Sequence, residues 1–176
     1  AAHCNFQLRG EESERDERFV RELCEQRGVR LHTVRFDTRA AAAERHESIE
    51  MAARRLRYEW FDALRRERKL DYVAVAHHRD DNIETFLLNL LRGAGIHGLT
   101  GMRSERDGVV RPLLETTREE ILQFLESEGQ PFVTDSTNAD TLFRRNKIRH
   151  ELLPLLRTIN PSADADRYYQ LIARFD

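Results

Sequence analysis

The alternation of apolar and polar positions divides the chain into segments of strand and helix period. Ala1–Phe6 reads as the tail of a buried strand. Glu11–Arg27 carries Phe19, Val20 and Leu23 as an apolar stripe, and Gly28 follows, so the spacing predicts a helix that stops there. Val29–Phe36 alternates Val29, Leu31 and Thr33 with polar neighbours and continues through Val34 and Phe36, a strand pattern. The short run Ala40–Ala43 reads as a loop or a helix lead-in. Glu47–Arg68 repeats Ile49, Ala53, Leu56, Trp60 and Leu64 on one helical face. Asp71–His77 contains the continuous run Tyr72–Ala76, the mark of a strand buried on both faces of a parallel sheet. Asp81–Arg92 returns to helical spacing, with Ile83, Phe86, Leu87 and Leu90 inward.

Strand and helix alternating three times predict an α/β fold with a doubly wound, mostly parallel sheet. Ligands of such sheets sit beyond the carboxyl ends of the strands, which is where His77 stands. Past Gly101 the pattern changes. Arg103–Leu114 reads as a hairpin turning at Asp107-Gly108. Thr117–Gly129 is an amphipathic helix capped by Thr116 or Thr117, and Pro131–Asp135 is short and extended. Arg144–Leu156 is a further helix, followed by Asn160-Pro161 and a last helical stretch to Phe175. No flexible linker marks an independent second domain. The expected organisation is one α/β domain over residues 1–135 and an adjoining helical segment over 136–176.

Composition changes this picture little. The chain of 176 residues is 40% hydrophobic and 34% charged, a soluble globular balance with no apolar window long enough to span a membrane. No basic and apolar leader opens it. Two cysteines, Cys4 and Cys24, form no CxxC pair, which disfavours a zinc or iron–sulfur site and fits a reducing cytoplasm. The net charge of −2 neither supports nor excludes a nucleic-acid partner. The basic cluster Arg144, Arg145, Lys147, Arg149, His150 and Arg157 mildly supports one.

Candidate chemistry gathers in His77-His78-Arg79-Asp80-Asp81-Asn82-Ile83-Glu84-Thr85. Asp81 and Glu84 are three apart, so both carboxylates share a helix face and are placed to hold an ammonium group. The same spacing is also a capping-box variant, with acids where the helix dipole favours them. A metal site has little support: its ligands would straddle a strand end and a helix start. Arg92-Gly93-Ala94-Gly95 and Gly98 let backbone approach a phosphate or base, and equally describe a helix C-cap. Arg54 and Arg57 lie beside the apolar stripe of the long helix, where solvation is the ordinary fate of an arginine and phosphate binding the rarer one. Asp135-Ser136-Thr137-Asn138 leads into Arg144-Arg145-Asn146-Lys147-Ile148-Arg149-His150, a polar turn before a basic helix start that suits phosphate or simply caps a surface helix.

Taken together, these stretches resemble tRNA(Ile)-lysidine synthetases of the PP-loop ATP-pyrophosphatase group. The resemblance runs through Ala2-His3-Cys4-Asn5-Phe6-Gln7-Leu8-Arg9, Glu12-Ser13 with Asp16, Ala53-Arg54 with Arg57-Tyr58, and the segment from His77 to Thr85. It continues through Arg92-Gly93-x-Gly95-x-x-Gly98-Leu99-x-Gly101-Met102, Arg111-Pro112-Leu113-Leu114, and Arg145-Asn146-x-Ile148-Arg149-His150. It implies an adenine-nucleotide alpha-hydrolase-like fold and ATP-dependent ligation of L-lysine to the wobble cytidine of an isoleucine tRNA through an adenylated intermediate. ATP and Mg2+ are the implied cofactors. The implied catalytic residues are Asp81, Glu84 and Arg145. His3, Arg54, His77, Arg92 and Gly93 fall to the nucleotide, and Arg103, Arg106 and Arg149 to tRNA. No residue of this chain is implied as a metal ligand. The resemblance allows a homodimer and a cytoplasmic location, with no membrane partner.

Two departures stand out. Phe6 occupies the place where the family usually has a second histidine. The family's Ser-Gly-Gly-x-Asp-Ser loop is absent from the sequence and is expected before Ala1, so the chain as it stands is expected to be inactive. Two rival readings follow: a PP-loop tRNA thiolase, disfavoured by the lack of paired cysteines, and a non-catalytic truncated RNA-binding fragment.

Overall fold

The computed structural model describes residues 1–95, 98–139, 144–161 and 165–174. The chain is α/β and packs as two compact units, Ala1–Val73 and Ala74–Asp176.

The first unit is built on a strand–helix–strand turn. Strand β1 (Ala2–Asn5) pairs in parallel with β2 (His32–Arg35), in register Ala2 to His32 through Asn5 to Arg35. Helix α1 (Glu11–Gln26) connects them, and three glutamates in its first turn, Glu11, Glu12 and Glu14, suit the helix dipole. Asn5 ends β1 and is almost wholly buried. Its amide donates to Glu17 Oε2 at 2.9 Å and Glu14 Oε1 at 3.2 Å, and its oxygen accepts the Gln7 N–H at 3.0 Å. The strand end is thereby tied to α1. The alanine run is helical rather than a loop: α2 (Thr38–Glu44) starts where the Asp37 carboxylate accepts the Ala40 N–H at 3.0 Å. Helix α3 (Ile49–Glu67) is capped by Ser48, and Ala52 is its buried residue.

Strand β3 spans Val73–Ala74. The expectation of a strand buried on both faces is not met. Tyr72 is 52% exposed, Ala74 and Ala76 are exposed, and Val73 and Val75 are half-buried. The apolar run is continuous only because alanine alternates with valine, and alanine tolerates water on the open face. Val75 N–H donates to the Val110 carbonyl at 3.0 Å.

In the second unit α4 (Arg79–Leu91) is the central element. Its Ile83, Phe86 and Leu87 form the core with Ile148 and Ile172. Burial of each such side chain stabilises by about 1.5–3 kcal/mol. Leu90, expected inward, is 49% exposed. Strands β4 (Glu105–Arg106) and β5 (Val109–Val110) form the expected antiparallel hairpin, turning at Asp107-Gly108. Both turn residues have positive φ, 54° and 73°, the requirement of a primed hairpin turn. Helix α5 (Arg118–Ser127) is capped by Thr117 in a box with Glu120.

The basic segment is one helix in three parts. Helix α6 (Arg144–Lys147) passes through a π-helical turn (Ile148–Leu152) into α7 (Leu153–Ile159). Pro154 has no N–H for the carbonyl four residues back, and the wider turn absorbs that loss. Helix α8 (Ala165–Ala173) closes on α4 through Ile172. None of the described helices is long and apolar enough to cross a membrane.

Candidate active site

The start of α4 is over-determined. His78 is its N-cap residue, and the His78 N–H donates to Asp81 Oδ2 at 3.1 Å. The capping box is therefore His78 with Asp81 rather than the expected Asp81 with Glu84, and it uses one oxygen of the Asp81 carboxylate. Asp80 turns the other way and accepts the Arg118 N–H at 2.8 Å. The His78 imidazole lies 3.5 Å from Asp80 Oδ2 and 3.4 Å from Asp81 Oδ2. Hydrogen bonding to His78, helped by the Arg118 N–H, pulls the Asp80 carboxyl down to about 2. Arg79 donates to the Glu115 carbonyl and lies 5.2 Å over the Tyr169 ring.

One turn on, Glu84 is fully buried. Arg149 Nε reaches its Oε1 at 2.6 Å, and Arg145 Nε lies 3.1 Å from Oε2. Arg149 Nη2 also faces Asp81 Oδ1 at 3.7 Å. Arg145 Nη2 donates to Thr85 Oγ1 at 2.7 Å, and Thr85 Oγ1 donates to the Asp81 carbonyl at 2.8 Å. Burial pushes the Glu84 carboxyl up, with the two guanidinium groups pulling against it. Arg149, also desolvated, is raised by its bond to Glu84. Two acids and two arginines thus converge, and they include residues assigned separately in the sequence to catalysis (Asp81, Glu84, Arg145) and to tRNA (Arg149).

The remaining predicted residues fall elsewhere. Arg92 and Gly93 end α4, about 18 Å of helix rise from its start. Gly93 N–H bonds to the Leu90 carbonyl and Ala94 N–H to that of Asn89, a Schellman closure that needs the φ of 72° at Gly93. Arg92 lines a cleft of about 480 Å³ whose other walls are Leu88, Leu91, Ile148, Leu152 and Leu155 with the charged Arg144, Lys147 and Glu151; neither Asp81 nor Glu84 lines it. Arg103 and Arg106 are exposed on the hairpin, and Arg106 pairs with Asp107 at 3.2 Å. His77 is half-buried immediately before the α4 cap. In the first unit His3 lies on β1, its imidazole pulled down chiefly by burial, and Arg54 is exposed, its guanidinium 5.0 Å from the Tyr58 ring centroid. Phe6 stacks on Phe36 at 5.8 Å with Arg57 over it at 5.1 Å. Ile96, His97 and the Asn138 side chain lie outside the described residues. Among the described residues no group of three or more His, Cys, Asp and Glu side chains gathers as a metal site.

Several supporting residues carry no role in the sequence reading. The buried Asn82 accepts the Met102 N–H at 2.6 Å, and Asn89 donates to the Gly98 carbonyl at 2.8 Å, together folding the glycine loop onto α4. A Cβ at Gly101 would stand 2.4 Å from Asn82 Oδ1. Asn146 donates to the Thr137 carbonyl at 2.7 Å and joins the 135–137 turn to α6. The available signal was polar residues placed among core positions, where burial demands a partner.

The PP-loop domain family matches residues 1–156. The chain is 58% identical to tRNA(Ile)-lysidine synthase of Bacteroides thetaiotaomicron over 92% of its own length and 38% of that protein's. It is 58% identical to the Porphyromonas gingivalis protein of the same name, over 92% and 36% of the two lengths. With that of Chlorobaculum tepidum identity is 46%, over 88% and 47%. The chain thus spans less than half the length of these relatives. Its fold is similar to a solved U34-tRNA thiolase, NcsA from Methanococcus maripaludis with its 4Fe-4S cluster: TM-score 0.73 and 15% identity, over 98% of this chain and 62% of that one.

Proposed function

We propose, from the premise that this chain belongs to the PP-loop domain family, that it forms part of an enzyme that ligates lysine to the wobble cytidine of an isoleucine tRNA at the expense of ATP. The observation that carries the proposal is the convergence of Asp81, Glu84, Arg145 and Arg149, in a chain this similar to proteins named for that product. In the proposed first step the cytidine 2-carbonyl oxygen attacks the α-phosphate of ATP and pyrophosphate leaves. In the second the ε-amine of lysine displaces AMP.

The residues present suit these steps unevenly. Asp81 and Glu84 form the anionic end of a lysine site. The attacking amine must be neutral, so a carboxylate accepts its proton as the bond forms. Arg145 and Arg149 supply fixed positive charge for a substrate anion. His3, held toward the neutral form by burial, offers hydrogen bonds rather than charge, whereas Arg54 offers an exposed cation to phosphate. His77 completes the nucleotide assignment, with Arg92 and Gly93 the assignments the geometry supports least. Exposed Arg103 and Arg106 are proposed tRNA phosphate contacts. Magnesium is proposed to accompany ATP, and among the described residues no cluster of His, Cys, Asp and Glu gathers to hold it.

The test is incubation of the complete protein carrying this chain with an isoleucine tRNA bearing a wobble cytidine, ATP and labelled lysine. ATP-dependent transfer of label to that tRNA is expected, and none to the same tRNA with a wobble uridine. Absence of transfer, or sulfur incorporation instead, sinks the proposal.

A further inference from the structure

The cleft of about 480 Å³ is lined by α4 and by the run from α6 to α7, and by neither acid of the candidate site. From α4 come Leu88, Leu91 and Arg92. From the run come positions 144, 147, 148, 151, 152 and 155. Within each set the residues recur every third or fourth position or adjoin, so each set is one helical stripe. The longer stripe rises about 16 Å from Arg144 to Leu155, roughly three turns. Two helical stripes of that length walling one cleft match a third helix, which would seat side chains at i, i+3 or i+4, and i+7 between them.

The apolar part of the cleft is open to water. Ile148 is buried, but Leu91 is 68% exposed and Leu155 is 55% exposed. One exposed leucine is ordinary on a protein surface, whereas two lining the same cleft are apolar area that an occupant would remove from water. The polar part carries a sign. Arg92, Arg144 and Lys147 are cations, and the one acid, Glu151, already faces Lys147 at 3.9 Å. Among the described residues no carboxylate pairs with Arg92 or Arg144. A basic occupant would meet like charge, and a wholly apolar one would strip water from the arginines without replacing it. Nucleic acid would satisfy the arginines and leave the leucines uncovered.

We propose that this cleft is a docking groove for an amphipathic helix of a partner protein, with leucine-type side chains on its apolar face and carboxylates beside that face. The apolar face covers Leu91 and Leu155, and the carboxylates pair with Arg92 and Arg144. This recognition role lies outside the lysine-ligase reading and stands or falls apart from it.

The test uses the complete protein and a synthetic helical peptide of about 15 residues, labelled for fluorescence anisotropy. The peptide carries leucine at every third or fourth position and glutamate on both flanks of that stripe. Saturable binding is expected, weakened about tenfold or more by Leu155→Ser and by Arg144→Glu. Both residues are exposed, so neither variant disturbs the core. The same peptide with lysine in place of glutamate is expected to bind the unmutated protein about tenfold less well, and to bind Arg144→Glu better than the unmutated protein. Absence of saturable binding, or equal affinity for the two peptides, overturns the proposal.

Sedimentation and tRNA binding expose the other occupants. Leu155→Ser is expected to leave both the association state and the affinity for an isoleucine tRNA unchanged. Self-association that Leu155→Ser abolishes would make the occupant a second copy of this chain, and a tenfold loss of tRNA affinity would make it RNA. Either result overturns the proposal.

Discussion

Glu17 and Glu84 are both buried glutamates facing two arginines, yet their carboxyl groups are shifted in opposite directions. Glu17 accepts from Asn5 Nδ2 at 2.9 Å and Arg21 Nη2 at 2.9 Å, with Arg35 Nη2 at 3.0 Å. These partners, Asn5 foremost, hold its carboxyl below the usual range. Glu84 has Arg149 and Arg145 within 3.1 Å, yet burial pushes it up and the nearby Asp81 charge adds to the rise. The arginines of Glu17 are 55% and 50% exposed, so water still reaches that network. Those of Glu84 are drawn further in, at 37% and 25%. The number of cations therefore does not decide the state of a buried acid. Solvent access and neutral hydrogen-bond donors do. Glu17 is stabilised in its charged form and ties β1 to α1. Glu84 is instead raised by burial, a condition that favours a role in a reactive site.

The largest test of this contrast removes one arginine from each acid. Arg149→Met leaves a buried carboxylate with a single partner and is expected to destabilise by about 3 kcal/mol in urea unfolding. Arg35→Met, at a half-exposed partner, is expected to cost several-fold less. Equal losses would erase the distinction. Next in size is Asn5→Ala, which removes the chief stabiliser of the Glu17 charge and leaves the Gln7 N–H without its acceptor. A loss of about 2 kcal/mol is expected. An NMR titration should show the Glu17 carboxyl moving up toward its ordinary value, and no movement would assign the depression to the arginines instead.

Much of this frame was legible in the sequence because its signals are local. Asp107-Gly108 specifies its own turn, Thr117 with Glu120 its own cap, and Asp81 with Glu84 a shared face, each within four residues. The pairing of Glu84 with Arg149 and of Thr85 with Arg145 spans 65 and 60 residues, and nothing in the local pattern joins them. Arg149 therefore read as a tRNA contact, although its side chain lies with the acids. The strand at Asp71–His77 misled for a different reason: valine–alanine alternation looks uniformly apolar but buries only one side. Gly101 carried no role of its own in the sequence, whereas it sits against the Asn82 side chain with φ of 65°. A buried amide one residue after Asp81 is the kind of position that periodicity passes over.

Titration sharpens the contrast without removing an arginine. The folded Glu17 carboxyl lies below the unfolded value of about 4.3. Its stabilising contribution is present above that pH and lost as pH falls through the folded value. The folded Glu84 carboxyl lies above it, so the native state binds the proton more readily. That contribution is complete below about pH 4.3 and lost as pH rises through the raised folded value. Stability of the unmutated protein minus that of Glu17→Gln should thus rise with pH, and the same difference for Glu84→Gln should fall. Slopes of one sign would mean that burial does not separate the two acids.

The smallest expected effect tests whether the Glu17 network is redundant. Arg21 pairs with Glu17 one helical turn away, and its side chain is 55% exposed. Such a helical pair contributes about 0.3–0.5 kcal/mol and is screened by salt. Arg21→Ala should therefore lower stability by no more than about 0.5 kcal/mol, and the loss should shrink further in 1 M salt, where screening reaches about 3 Å. Asn5 and Arg35 would still hold the carboxylate, so its titration should move little. A loss as large as that of Arg149→Met, insensitive to salt, would place Glu17 in the same class as Glu84 and leave solvent access without a part in the difference.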